Sequence, residues 1–231
     1  MRRTRVFGYW MGLDLSNYIE RSIYLHVFEP FETSLVRGLL RPGMTIVDAG
    51  ANVGYYTLMG SAAVGPSGHV FAFEPSPYAV KKLQEAIDEN KIENVTIVES
   101  ALGDFDGVGQ LYVPDQDRGN HTPSMVAQNF PPTSIAITTL DSFLRKRGAR
   151  RVDLLKLDVE GFEPNIVRGA RQVLEDGTVR AILCEFNEYW LTANGCSSKE
   201  LLTLLEDLGF HSEGGEFVPG LALQNLLLVR D

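Results

Sequence analysis

The sequence predicts an α/β fold in which a mostly parallel sheet is covered by helices on both faces. Three observations carry this. Apolar, β-rich runs alternate with helical patterns from Thr45 onward. Those runs are continuously apolar, as strands buried on both faces are, and do not alternate with polar residues. A glycine-containing turn follows the first of them, at the carboxyl end of a strand, where open α/β sheets bind ligands.

The elements follow in order. TIVDAG (45–50) reads as the first strand of this pattern and NVGYYTLMGSAAV (52–64) as the helix after it. GPSG (65–68) is a turn, HVFAFEP (69–75) a strand, and residues 76–91 a helix with Pro77 suited to its first turn. NVTIVESAL (94–102) and VDLLKLDVE (152–160) are further strands. Residues 163–176 have helical spacing, with Gly177 as the stop. VRAILCEFN (179–187) is a strand, residues 197–210 a helix and NLLLVR (225–230) the last strand. The leader before residue 44 is less regular, with a helical second half at 29–40 and Pro42-Gly43 as the turn into the first strand. It is expected to pack across the carboxyl edge of the sheet and help close the site. The domain reading is therefore a leader, 1–43, and a ligand-binding domain, 44–231, within one structural domain. The stretch 113–134, rich in Pro, Asn, Asp and Ser, is a long loop of the kind that is either functional or disordered.

The bulk composition narrows the function. The chain has 231 residues, 44% hydrophobic and 22% charged, enough for a full core without staples. The formal net charge of -9 argues against a nucleic-acid duplex as main partner, since phosphate binding needs excess Lys and Arg. Two cysteines, Cys184 and Cys196, are too few for a disulfide framework or a zinc site. The basic N-terminus is followed by no long apolar stretch, so neither a signal peptide nor a membrane span is expected and the cytoplasm is the default location.

The turn Asp48-Ala49-Gly50-Ala51-Asn52-Val53-Gly54 raises a physical question, because glycine weakens regular structure and a carboxylate near a core is costly unless paired. Gly50 would let a ligand approach the backbone, and Gly54 would let the following helix pack tightly on the strand. The second strand ends in Glu74, whose ionised carboxylate is an acceptor only and suits both hydroxyls of a ribose. The nicotinamide pattern G-x-G-x-x-G is absent, and an acid at Asp48 would repel a pyrophosphate. It suits a ligand bringing positive charge, as the amino group and sulfonium of S-adenosylmethionine do. The plainer reading makes Asp48 a helix cap and the glycines a tight turn.

A second cluster lies in DLLKLDVEGFEPNIVRGA (153–170), which holds Lys156, Asp158, Glu160 and Glu163. On a strand, Lys156, Asp158 and Glu160 would share one face by period two. Three ionisable groups on one side of an apolar strand are costly to bury without a task or mutual pairing. Either Lys156 and Asp158 form a structural ion pair ahead of a Gly161 turn, or Asp158 and Glu160 face a pocket shared by cofactor and substrate.

With these stretches in view, the sequence resembles the FkbM-type methyltransferases, S-adenosylmethionine-dependent enzymes with the class I methyltransferase fold. The matching stretches are PGMTIVDAGANVGYYTL, GHVFAFEPSPYAVKKL, NVTIVESALGDFDG, TTLDSF, VDLLKLDVEGFE, VRGA and AILCEF, from about residue 42 to 187. The resemblance implies a Rossmann-like, seven-stranded sheet with the last strand antiparallel. It implies cofactor contacts at Asp48, Gly50, Asn52, Gly54, Glu74, Pro75, Asp158 and Ser100, with Ala101 and Leu102 flanking the adenine.

Methyl transfer from a sulfonium is an in-line displacement by an acceptor whose proton must be removed or weakened. Asp158-Val159-Glu160 stands where N-methyltransferases carry an Asn/Asp-Pro-Pro-aromatic motif. Carboxylates suit a hydroxyl acceptor, so O-methylation of a sugar, glycosylated or polyketide-type small molecule is favoured, with Asp158, Glu160 and Lys156 as catalytic residues. N- or carboxyl-methylation, or a non-catalytic nucleoside-binding module, are the alternatives. Asp158, Glu185 and Asn187 could together offer oxygen ligands to Mg²⁺. His26 and His121 are further base candidates, and Phe186, Tyr189 and Trp190 a candidate wall for stacking a sugar.

Overall fold

The computed structural model describes residues 1–113, 124–126 and 131–230, which form two compact units: residues 1–99, and residues 100–113, 124–126 and 131–230.

The first unit opens with an antiparallel hairpin, β1 (Arg2–Val6) and β2 (Tyr9–Leu13). Phe7 (φ 52°) and Gly8 (φ 93°) form its two-residue turn; positive φ at both positions is what a twist-matched hairpin turn requires. Helix α1 (Tyr18–Tyr24) starts at Asn17, whose Oδ1 accepts the Glu20 N–H at 3.1 Å. Helix α2 (Pro30–Leu39) follows, matching the helical half of the leader; the hairpin and α1 were not legible in the sequence. Next come β3 (Thr45–Ala49), α3 (Tyr55–Val64), β4 (His69–Phe73), α4 (Pro77–Asn90) and β5 (Val95–Val98), with β3, β4 and β5 parallel. Val6, Met11, Leu13 and Ile23 of the leader share one buried cluster with Ala51, Val53, Leu58, Leu83 and Ile87. Polar contacts fasten the same docking. Asn90 pairs its side-chain amide with both the N–H and the C=O of Trp10, each at 2.8 Å. Buried Glu20 accepts from Lys82 Nζ at 3.2 Å and from the Tyr78 hydroxyl at 2.6 Å.

The second unit contains a three-stranded sheet of β6 (Ala101–Leu102), β7 (Gly107–Tyr112) and β8 (Pro132–Thr138), in the order β6-β8-β7. It continues with α5 (Leu140–Arg147), β9 (Leu154–Leu157), α6 (Glu163–Gly169), α7 (Arg171–Glu175), β10 (Ala181–Asn187), α8 (Glu188–Ala193), α9 (Ser198–Asp207), β11 (His211–Ser212) and β12 (Leu223–Val229). β10 runs parallel to β9 and antiparallel to β12. The large sheet has seven strands in the order β11-β12-β10-β9-β3-β4-β5, mostly parallel with the last strands antiparallel. No described helix is long and apolar enough to cross a membrane.

Three predicted elements differ. The strand expected over 94–102 is broken: β5 stops at Val98, and Ala101 and Leu102 pair with Ile137 and Thr138 in the smaller sheet. The strand over 152–160 ends at Leu157, because Glu160 (φ 52°) and Gly161 (φ 91°) take left-handed conformations that no strand admits. The helix over 163–176 is divided at Ala170, and Asp141 of the TTLDSF stretch caps the second piece by accepting the N–H groups of Gln172 and Val173 at 3.1 and 3.0 Å. Of the expected loop 113–134, residues 132–134 begin β8 and Ser124 bridges to Tyr112; residues 114–123 and 127–130, with His121 among them, lie outside the described residues.

Candidate active site

Two sets of functional side chains are built, one in each unit. In the first unit, β3 delivers the chain to its turn, and β4 supplies the acid that holds it. Gly50 (φ 79°), Asn52 (φ 49°) and Gly54 (φ 97°) all take positive φ, so this turn relies on residues that tolerate the left-handed region. The N–H groups of Gly50 and Ala51 both donate to the Phe73 carbonyl, at 3.1 and 3.0 Å. Glu74 is buried, and its two oxygens divide their labour: Oε2 accepts the Asn52 N–H at 2.7 Å and Oε1 the Ser76 N–H at 2.8 Å. Pro75 follows it, half-buried.

Asp48 is buried in β3, with Oδ2 accepting from the Thr57 hydroxyl at 2.6 Å. It thereby ties the strand to α3, a contact that neither a solvent-facing acid nor a simple helix cap makes. A Cβ at Gly54 would lie 2.5 Å from Leu83 Cδ1, so the glycine makes room for α4. At the start of α3, Tyr55 exchanges a hydrogen bond with Thr33 at 3.1 Å and Tyr56 donates to Glu29 at 2.5 Å. The leader is thus fastened to the residues that immediately follow the turn, a link invisible in the sequence because its partners lie more than 20 positions apart.

In the second unit, β9 carries Lys156 into the interior, and its ammonium donates to Asp158 Oδ2 at 2.7 Å. The Lys156 side chain is 6% exposed and that of Asp158 28%, so a buried cation holds an accessible carboxylate. Lys156, Asp158 and Glu160 do not share a strand face. Only Lys156 is in the strand; Glu160 lies in the turn, where its carbonyl accepts from the Ser124 hydroxyl at 2.9 Å. A non-glycine residue in that conformation costs on the order of 1–3 kcal/mol, and the surroundings over-determine it. Asn194 Nδ2 donates to the Gly161 carbonyl at 2.9 Å, and a Cβ on Gly161 would lie 2.5 Å from the Trp190 carbonyl oxygen.

Glu163, the first residue of α6, is fully buried; burial pushes its carboxyl up to about 7. Its Oε1 accepts the N–H groups of Val159 and Gly161 at 3.0 and 3.3 Å. Burial, and then the negative charges of Asp158, Glu160 and Glu163, push Glu185 of β10 well above the usual carboxylate range. Ser100 is buried just after β5, with Ala101 and Leu102 buried behind it in β6. Sequence reasoning missed Ser124 and Asn194, whose partners are 36 and 33 positions away.

The family model described as "Methyltransferase FkbM domain" matches residues 48–212, from the acid of the glycine turn to the end of β11. The chain belongs to the FkbM methyltransferase family. It is 29% identical over 186 residues to Methyltransferase 1 of Beauveria bassiana, covering 71% of each chain. It is 24% identical over 186 residues to the 2-O-methyltransferase NoeI of Sinorhizobium fredii, covering 74% of each. Among solved structures, the methyltransferase FkbM of Methylobacillus flagellatus KT superposes with a TM-score of 0.52 at 17% identity, over 95% of this chain and 56% of that one. Membership makes this protein an S-adenosylmethionine-dependent methyltransferase, as the resemblance implied.

The donor sets of this FkbM-family enzyme can be tested against the groups expected of it. The first suits a nucleoside with a cationic tail: a glycine-bearing turn, two buried carboxylates and no lysine or arginine among residues 48–54 and 74–76. In the second, the Lys156 ammonium occupies Oδ2 of Asp158, one of the three residues expected to offer oxygen to Mg²⁺. Asn187 ends β10 with no side-chain cap hydrogen bond to α8, and among the described residues no group of three or more His, Cys, Asp or Glu could hold a metal ion. The aromatic trio does not form one wall either. Phe186 is fully buried against Phe217, whereas Tyr189 is exposed and meets Trp190 edge-on. His26 is exposed and contacts Thr4.

Proposed function

We propose that this methyltransferase modifies a hydroxyl group of a small molecule of the sugar, glycosylated or polyketide type. The observation that carries this reading is the Lys156–Asp158 pair, a carboxylate held by a buried ammonium yet still partly open. An ionised carboxylate accepts the hydroxyl proton, which an alcohol otherwise retains near pH 7, and orients the oxygen for in-line attack. Asp158 is the acceptor's base in this reading. Lys156 holds it in place, and Glu160 completes the acidic rim. The name of the Sinorhizobium relative, a 2-O-methyltransferase, agrees with a hydroxyl acceptor.

The cofactor, when bound, supplies an activated methyl group. Glu74 would take the ribose hydroxyls, and the turn from Asp48 to Gly54, with Pro75, would bear the nucleoside and its cationic tail; Ser100, Ala101 and Leu102 are the second unit's candidate contacts. The leader 1–43, which shares a core with Ala51 and Val53, closes over the turn.

The test is product analysis with methyl-labelled S-adenosylmethionine against a panel of methyl glycosides, macrolide alcohols, amines and carboxylic acids. Label on oxygen of an alcohol is the expected result. Label on nitrogen or on a carboxylate alone contradicts the proposal.

A further inference from the structure

The turn that follows Asp158 lacks the regular hydrogen bonds of strand or helix. The chain leaves β9, passes Val159, and reverses through two left-handed residues, Glu160 and Gly161. The N–H groups of Val159 and Gly161 bracket that reversal, and both converge on one atom, Oε1 of Glu163. Glu163 has no solvent exposure, while its Oε2 is buried without a hydrogen-bond partner among the described residues. A fully buried carboxyl group is expensive, and capping a short helix such as α6 does not require one. What Glu163 does that a smaller polar residue could not is reach back across the turn to two amides at once. Ser124 and Asn194 grip the same turn through its carbonyls, and Trp190 walls it at Gly161. The ionisable neighbours that act on this corner are Lys156, Asp158, Glu160, Cys184 and Glu185. Of them, Lys156 and Asp158 are already paired.

We propose that Glu163 is a positioning residue: its carboxyl group clasps the Val159–Gly161 turn from inside and thereby fixes the direction in which Asp158 leaves β9 and meets Lys156. The inference rests on the reading of Asp158 as the acceptor's base. Glu163 touches neither acceptor nor cofactor in this role. It acts through two backbone amides.

The experiment compares Glu163→Ala and Glu163→Gln in the full chain. Glutamine keeps an oxygen acceptor at the same reach and loses the ionisation; alanine loses both. Amide hydrogen exchange is read at Val159 and Gly161, with Leu155 of β9 as internal reference, alongside the protected ammonium signal of Lys156. In E163A, exchange at Val159 and Gly161 rises at least tenfold relative to Leu155 and the Lys156 signal broadens, and E163Q restores both. Affinity for S-adenosylhomocysteine stays within threefold in each variant. Wild-type protection in E163A overturns the clasp, as does a rise spread evenly over β9, or failure of E163Q to restore protection. If E163A does not fold, Glu163→Asp, one methylene short of both amides, takes its place with the same expectations. Asp158→Asn, assayed on the acceptor panel, separates the two readings. Full turnover in D158N sinks the role of Asp158 and with it the purpose of the clasp, whereas the exchange data decide the clasp itself.

Discussion

Glu74 and Asn52 are joined by a 2.7 Å hydrogen bond in which the backbone N–H of the glycine turn donates to the carboxylate at the end of β4. The acid that the sequence marks as a ligand acceptor is therefore also part of the turn's scaffold. Its second oxygen holds Ser76 in the same way. A side chain locked by two amides pays little ordering entropy when a ligand arrives, which is the general advantage of preorganisation.

Glu74→Ala should consequently weaken binding of S-adenosylhomocysteine by about 1.5–3 kcal/mol, roughly 10–150-fold, the usual range for hydrogen bonds to a charged group. Titration calorimetry measures this directly. Unchanged affinity would show that the carboxylate serves the turn alone.

Asp158→Asn should lower turnover far more than cofactor affinity. Loss of a positioned base typically costs 10²–10⁴-fold in rate, and the amide oxygen can still accept from Lys156. Parallel losses in turnover and affinity would instead make Asp158 a cofactor-holding residue.

Stability should depend on pH through Glu163. Its folded pKa, about 7, lies above the value of about 4.3 for an unfolded glutamate. The native state therefore holds the proton more tightly, and this contribution, present below about pH 4, is lost as pH rises through 7, by up to about 4 kcal/mol. Urea unfolding at pH 5, 6, 7 and 8 should show wild type losing stability relative to Glu163→Gln, which has nothing to ionise. A difference that is flat or of opposite slope would mean that the carboxyl titrates normally.

Glu20→Ala should destabilise the first unit by about 3–5 kcal/mol, the usual effect of removing one partner of a buried pair, because Lys82 would be left as an uncompensated buried charge. Replacing both, as Glu20→Leu with Lys82→Met, should restore much of the loss. Thermal melts of the single and double variants check this, and equal damage in both would point to Tyr78 or the Asp14 N–H as the important partner.

Gly54→Ala should cost about 1–2 kcal/mol from its left-handed conformation alone, with a further loss as Leu83 is displaced from 2.5 Å. Leu83→Ala in the same background would relieve the clash but not the backbone strain. Additive losses in the double variant would exclude contact between the two positions.

Much of the parallel sheet was legible, because buried parallel strands must be continuously apolar and the helices between them must carry a 3.6-residue period. Elements with weaker signatures were not. The leader hairpin has alternating polar residues and a Phe-Gly turn, and its apolar side acquires meaning only against Leu83 and Ile87 of α4. The small sheet of β6, β7 and β8 hid because Ala101 and Leu102 look like the continuation of β5. At the site, the Lys156–Asp158 ion pair was one of two readings the residue types left open, and the fold forms that pair. The strand periodicity misplaced Glu160, since no local pattern announces a left-handed non-glycine residue.

Taken alone, the order of residues determined the strand–helix alternation, the position of the glycine turn, the acid at its partner strand and the family those motifs define. These are local properties, set by periodicity and by the few residues that tolerate unusual backbone angles. Only the tertiary structure decided what each charge does. It gave Lys156 to Asp158, Glu163 to two amides of a turn, and Asp48 to Thr57. The reason is physical: the fate of a buried charge depends on which donors lie within about 3 Å, and chain folding, not sequence proximity, brings those donors there.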